Sequence, residues 1–193
     1  MILKDQTNIM FPSPDRSQSL YRVYLATTGS LPKYAEFIRD LELIARGVVM
    51  ESGDEDETFR HSLRALVESR PFAAFPELDD AQYVDRLLFN SALRLLPAER
   101  AALIEALATK RETRAGVLLK IVSDERFIAQ ENDRSLVLLH YFGYLQRNPG
   151  EPPDRDLSGF DFWIQDLGRE HNPTKLSIAF RNSIEYRRGK PGR

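Results

Sequence analysis

The chain has 193 residues, a net charge of −2, no cysteine, and 42% hydrophobic against 29% charged side chains. That hydrophobic share supports a folded core and excludes global disorder. The balanced charge argues against a general polyanion binder, so no nucleic-acid partner is expected. The missing cysteines exclude disulfides, thiolate zinc sites and cysteine nucleophiles.

Residues 1–16 read as a flexible lead-in, with Pro12 and Pro14 flanking Ser13. Ser17 or Ser19 then caps a helix carrying Leu20, Val23 and Tyr24, with Gly29 as its stop. Pro32 opens a second helix through Phe37, Leu41 and Ile44, which Gly47 ends. Glu51 to Glu57 form an acidic loop whose last acids favour a helix N-terminus. Phe59, Leu63, Leu66 and Val67 mark a third helix, stopping before Pro71. Asp79 or Asp80 caps a helix with Val84, Leu87 and Leu88, and Pro97 opens the next. One helix is expected from Thr113 to about Phe127, and Asn132 opens another over the apolar run Leu136 to Leu145. Ser158 caps Phe160 to Leu167, and Asn172 with Pro173 caps a last helix through Phe180 and Ile184. No alternating run of β-branched residues and no hairpin-type Asn-Gly or Asp-Gly occurs. The expected fold is therefore all-α, with nine or ten helices.

The apolar run is interrupted by His140 and is half the roughly 20 residues a bilayer requires, so no membrane span is expected. The first residues, Met1 to Gln6, lack the charged start and apolar stretch of a signal peptide. The expectation is a cytoplasmic chain, or a piece of a longer exported or cell-surface one.

Three stretches share a spacing. Their first helices carry Leu20, Val23, Tyr24; Val84, Leu87, Leu88; and Val137, His140, Tyr141. Second helices pair Phe37 with Leu41, Leu103 with Leu107, and Trp163 with Leu167. Closing segments pair Ser69 with Phe72, Asp124 with Phe127, and Ser183 with Tyr186. This predicts a single helical domain over 17–188, built of three stacked, degenerate three-helix repeats at about 17–72, 80–127 and 132–187, with a basic tail at 189–193.

The third stretch holds recognisable residues: Tyr141, Tyr144, Leu145, Arg147 and Pro149, then Gly159, Phe162 and Trp163, then Ala179, Phe180, Ser183, Glu185, Tyr186 and Arg187. These resemble the bacterial family called domain of unknown function 4214, similar to the phycobilisome-linker-like helical domain. Its pattern is YxxYLxRxP, then GxxFW, then AFxxSxEYR. Arg114 to Leu118 with Asp124 to Phe127 resembles a degenerate copy of the closing helix; earlier in the same copy Leu103 stands where the family prefers tryptophan, and glycine is missing from its turn. The resemblance implies an interaction or scaffold module within a larger exported protein. It brings no catalytic residues, and a shared fold does not bring light harvesting with it.

Asp154, Asp156 and Ser158 before Gly159 offer oxygens at alternate positions, the start of a calcium loop. Asp161 and Gln165 stand where such a loop places an apolar residue and a bidentate glutamate, so a turn with a helix cap competes. Tyr141, Tyr144, Phe160 and Trp163, with Phe162, form either a sugar-stacking platform or core. His140 is expected in the core or at an interface, bonded to a carbonyl or water. Arg147, recurring as Arg94, is expected to hold helix-end carbonyls or a carboxylate such as Glu185. The acidic stretch from Asp54 to Glu57 is read as a solvated loop, and the tail with Arg187, Arg188, Lys190 and Arg193 as a solvated terminus.

No HExxH, GxSxG, phosphate loop or GxGxxG is present. The expectation is a non-catalytic module without a cofactor, engaging a protein partner or a second copy. A calcium- or glycan-binding domain using the 154–163 turn is the alternative. A hydrolase assembled across helices would require a deep pocket with perturbed carboxylates or a histidine.

Overall fold

A computed structural model describes residues 14–50, 55–69 and 75–189. Among these residues every regular element is helical. In chain order they are α1 (Pro14–Thr28), α2 (Tyr34–Met50), α3 (Glu55–Ser69), α4 (Asp80–Ser91), α5 (Pro97–Ala108), α6 (Arg114–Val122), α7 (Glu125–His140), a π-helical segment (Tyr141–Leu145), α8 (Ser158–Glu170), α9 (Pro173–Asn182) and α10 (Ile184–Gly189).

Several boundaries have the expected cause. Asp79 forms a capping box, accepting from the Gln82 amide at 2.8 Å while the Gln82 side chain accepts from the Asp79 amide at 3.0 Å. The Thr113 hydroxyl accepts from the Gly116 amide, and Asn172 Oδ1 from the Lys175 amide. Gly29, at φ +68°, closes α1 in the left-handed region that glycine enters without strain.

Other boundaries correct the expectation. Pro14 itself opens α1, so 14–16 are helical and Ser17 and Ser19 lie inside the helix. Residues 1–13 of the expected lead-in, 51–54 of the acidic loop, Phe72 and the tail from 190 lie outside the described residues. Gly47 does not end α2, because an internal glycine costs only about 1 kcal/mol. The last acids of the acidic stretch, Glu55, Asp56 and Glu57, do form a helix N-terminus, as expected, in the first turn of α3.

The helix expected from Thr113 to Phe127 is two helices. It breaks at Ser123, and Asp124 accepts from the Arg126 amide at 2.9 Å to start α7. Asn132 therefore lies within α7. Ser183, in extended conformation, likewise separates α9 from α10 and accepts from the Tyr186 amide at 3.1 Å. The shared spacing of Asp124 with Phe127 and Ser183 with Tyr186 thus has a local cause. In each, a small polar residue caps the following helix and the aromatic three places on is buried.

The chain gathers into two compact units, Ser19–Gln130 and Met1–Gln18 with Glu131–Arg193. The first buries Tyr21, Phe37, Ile44, Tyr83, Leu87, Leu118 and Phe127. Its buried Arg22 donates from Nε to the Val122 carbonyl at 2.7 Å, satisfying the end of α6. Arg114 donates to the Phe75 and Leu78 carbonyls and lies 4.9 Å over the Tyr83 ring. The second unit buries Leu138, Phe142, Phe160, Leu176 and Phe180. There the Gln18 amide group donates to Ser135 Oγ at 2.9 Å. The expected repeats at 17–72 and 80–127 fall almost wholly in the first unit.

Candidate functional site

The sequence-predicted site residues lie in the second unit, where the π-helical segment, the turn at 146–157 and α8 to α10 meet. Arg147 is their common partner. Its side chain is 11% exposed, and all five of its N–H groups are used. Nε and Nη2 donate to the two Glu185 oxygens at 2.5 and 2.9 Å. Nη2 also donates to Asp154 Oδ2 at 3.0 Å, and Nη1 donates to the Asn148 and Glu151 carbonyls at 3.0 Å each. The guanidinium sits 5.3 Å over the Tyr141 ring. Its bonds to Glu185 raise its pKa further, so it stays charged. The expected pairing with Glu185 is therefore found. Arg94, its supposed counterpart, stands exposed and does not repeat the arrangement.

This geometry decides what the three calcium-loop residues do. Asp154 is held by Arg147, Asp156 Oδ1 accepts from the Ser158 amide at 2.8 Å, and Ser158 is the first helical residue rather than the cap. The alternating oxygens serve a turn and a helix start. A calcium ion would have to displace the guanidinium from Asp154. No cluster of three or more His, Cys, Asp or Glu side chains suited to a metal occurs among the described residues.

The aromatic candidates divide by burial. Tyr141 and Phe160 are closed off at 4% and 1% exposure, so neither offers a face to a sugar. Burial, followed by the Asp154 charge, pushes the Tyr141 hydroxyl up to about 12. Tyr144 and Trp163 are half-buried and Phe162 is exposed, set edge-on to Trp163 at 5.1 Å. Phe180 lies among His140, Tyr141, Tyr144 and Trp163, with centroids 5.2 to 6.3 Å away. At Gly159 a Cβ would come 3.1 Å from the Tyr141 hydroxyl oxygen, so any larger residue would make that side chain give by a few tenths of an ångström.

His140 is buried, as expected, between the Tyr144 and Phe180 rings. Nδ1 lies 2.8 Å from the Leu136 carbonyl, which can only accept, so the neutral ring carries its proton there. Nε2 then accepts from the Ser177 hydroxyl at 2.9 Å. Ser177 Oγ is also 3.1 Å from the Pro173 carbonyl. Sequence reading missed Ser177, whose only signal is its place four residues after Pro173 at the start of α9.

Burial lowers the His140 pKa, outweighing the Leu136 bond that raises it. The folded state thus binds fewer protons than the unfolded one. Stability is full above the unfolded value of about 6.5 and is lost as pH falls through the lowered folded value. Denaturant titrations between about pH 7.5 and 5 are expected to show this loss, and His140→Gln is expected to flatten it.

In the other unit, a cavity of about 360 Å³ is lined by Glu57, His61 and Ser123 among others. No hydrogen bond joins these three among the described contacts. The nucleophile, base and orienting group of a hydrolase are not assembled there, and nothing in the described residues indicates catalysis.

With this geometry in place, comparison with known proteins finds no matching family model, no matching curated protein and no matching solved structure.

Proposed function

We propose that the chain is a non-catalytic helical interaction module whose working surface lies on α8 to α10. The observation that carries this reading is a contrast within one unit. The polar groups of Arg147, Asp154, Glu185 and His140 are engaged internally, whereas Leu157, Phe162, Ile178 and Ile184 are 41%, 54%, 54% and 63% exposed. Single exposed apolar side chains are ordinary, but three from one short run of helices, with Leu157 at the entry to α8, are what a binding surface supplies. The resemblance to domain of unknown function 4214 supports the same reading, including membership of a larger bacterial exported protein. No described helix is long and apolar enough to cross a membrane.

The test is site-specific photo-crosslinking in cells that make the protein. A benzophenone side chain placed at position 162 or 178 is expected to give a discrete adduct. The same group at the exposed polar position 110 is expected to give none. Adducts absent from 162, 178 and 184 alike would overturn the reading.

A further inference from the structure

Two surfaces of opposite charge each carry an open apolar element. On α9 and α10, Ile178 and Ile184 are 54% and 63% exposed. Arg181 lies three residues beyond Ile178, and Arg187 and Arg188 three and four beyond Ile184, so each isoleucine shares a helix face with arginine. Residues 173–193 hold six basic side chains against one acidic; Arg147 holds that one, Glu185, and Asp166 and Glu170 hold Lys175, which leaves five basic side chains.

The second surface belongs to α2 and α3. A groove of about 730 Å³ is lined there by Leu43, Ile44, Ser62, Ala65, Leu66 and Ser69. Leu43 is 46% exposed, and the small side chains of Ser62, Ala65 and Ser69 leave room for a branched aliphatic group. Residues 34–69 hold nine acidic side chains against four basic, and eight of the nine remain for the surface because Asp40 is buried against Tyr24.

We propose that α9 and α10 of one copy dock head to tail into the α2–α3 groove of a second copy. This rests on the interaction reading above and names the partner. Charge selects the arrangement. A two-fold contact between two basic α9–α10 faces would set like charges opposite each other, whereas the head-to-tail contact sets basic against acidic. A contact of this kind joins two different patches, so one contact leaves one of each free for a further copy.

Sedimentation velocity on the purified chain over a wide concentration range tests it. Mass is expected to grow with concentration in ~0.1 M salt. Association is expected to weaken roughly tenfold or more in ~1 M salt, where the screening length falls from about 10 to about 3 Å. Ile178→Ser with Ile184→Ser removes one surface, and Leu43→Ser with Ala65→Glu removes the other. Each double variant alone is expected to remain monomeric, and an equimolar mixture of the two to form a one-to-one pair. All four positions except Ala65 are exposed isoleucine or leucine, and circular dichroism checks that helicity is retained. A wild-type chain that stays monomeric, variants that still associate alone, or a mixture that does not pair would each overturn the proposal. A monomeric chain that still gives a crosslinked adduct of another mass at position 162 would overturn only this inference and leave the interaction reading standing.

Discussion

Phe180→Ala is expected to lower stability by about 4 kcal/mol, the middle of the range for deleting a buried phenylalanine ring. Phe180 is 4% exposed and its ring is in contact range of His140, Tyr141, Tyr144 and Trp163. Those neighbours come from the end of α7, the π-helical segment and α8, so no single movement refills the space. For a chain of this length the loss corresponds to a fall of roughly 8–15 °C in the melting temperature. Trp163 is the only tryptophan, and its ring lies 5.8 Å from Phe180. Its fluorescence and near-ultraviolet circular dichroism are therefore expected to report the same loss locally. Phe180→Leu, which keeps most of the volume, is expected to cost less than half as much. A melting temperature unchanged in Phe180→Ala would show that the ring is not the centre of this unit.

Arg147→Ala is expected to cost about 2–3 kcal/mol. Removing one member of a fully buried ion pair costs about 3–5 kcal/mol, because the remaining charge is left without a partner. Glu185 and Asp154 are 29% and 31% exposed, so water reaches the freed carboxylates and reduces the cost. The Asn148 and Glu151 carbonyls also lose their donors. Arg147→Lys is expected to recover little, since an ammonium group cannot grip both Glu185 oxygens while reaching Asp154 and two carbonyls. A double-mutant cycle with Glu185→Gln separates the pair from the rest of the network: a coupling near zero would show that the carboxylate contributes nothing.

The helical class was legible because apolar residues recur at helical spacing throughout and nothing competes with them. Caps that use Asp79, Thr113 and Asn172 were legible for the same reason: each precedes a clear apolar period. The breaks at Ser123–Asp124 and Ser183 were not, because the apolar period continues across them and only the capping side chain reveals the interruption. Gly47 misled in the opposite sense, since an internal glycine is a modest cost that neighbouring packing overrides. At the site, the Arg147–Glu185 pair was legible from residue types alone. The part played by Asp154 was not. Alternating oxygens before a glycine look alike whether they face a cation or a guanidinium, and Arg147 lies outside that short motif. Ser177 was invisible because its partner, His140, is 37 positions away.

The bond between Gln18 and Ser135 spans 117 positions of sequence. It belongs to a unit assembled from both ends of the chain, whereas Ser19–Gln130 is continuous. A ribosome adding roughly 5–20 residues per second completes the continuous unit first. The discontinuous unit cannot complete its core until the residues after Gln130 have followed. During that interval Phe142, Phe160 and Phe180 have no finished core to enter. Of the two units, the discontinuous one is thus the more exposed to mispairing during synthesis.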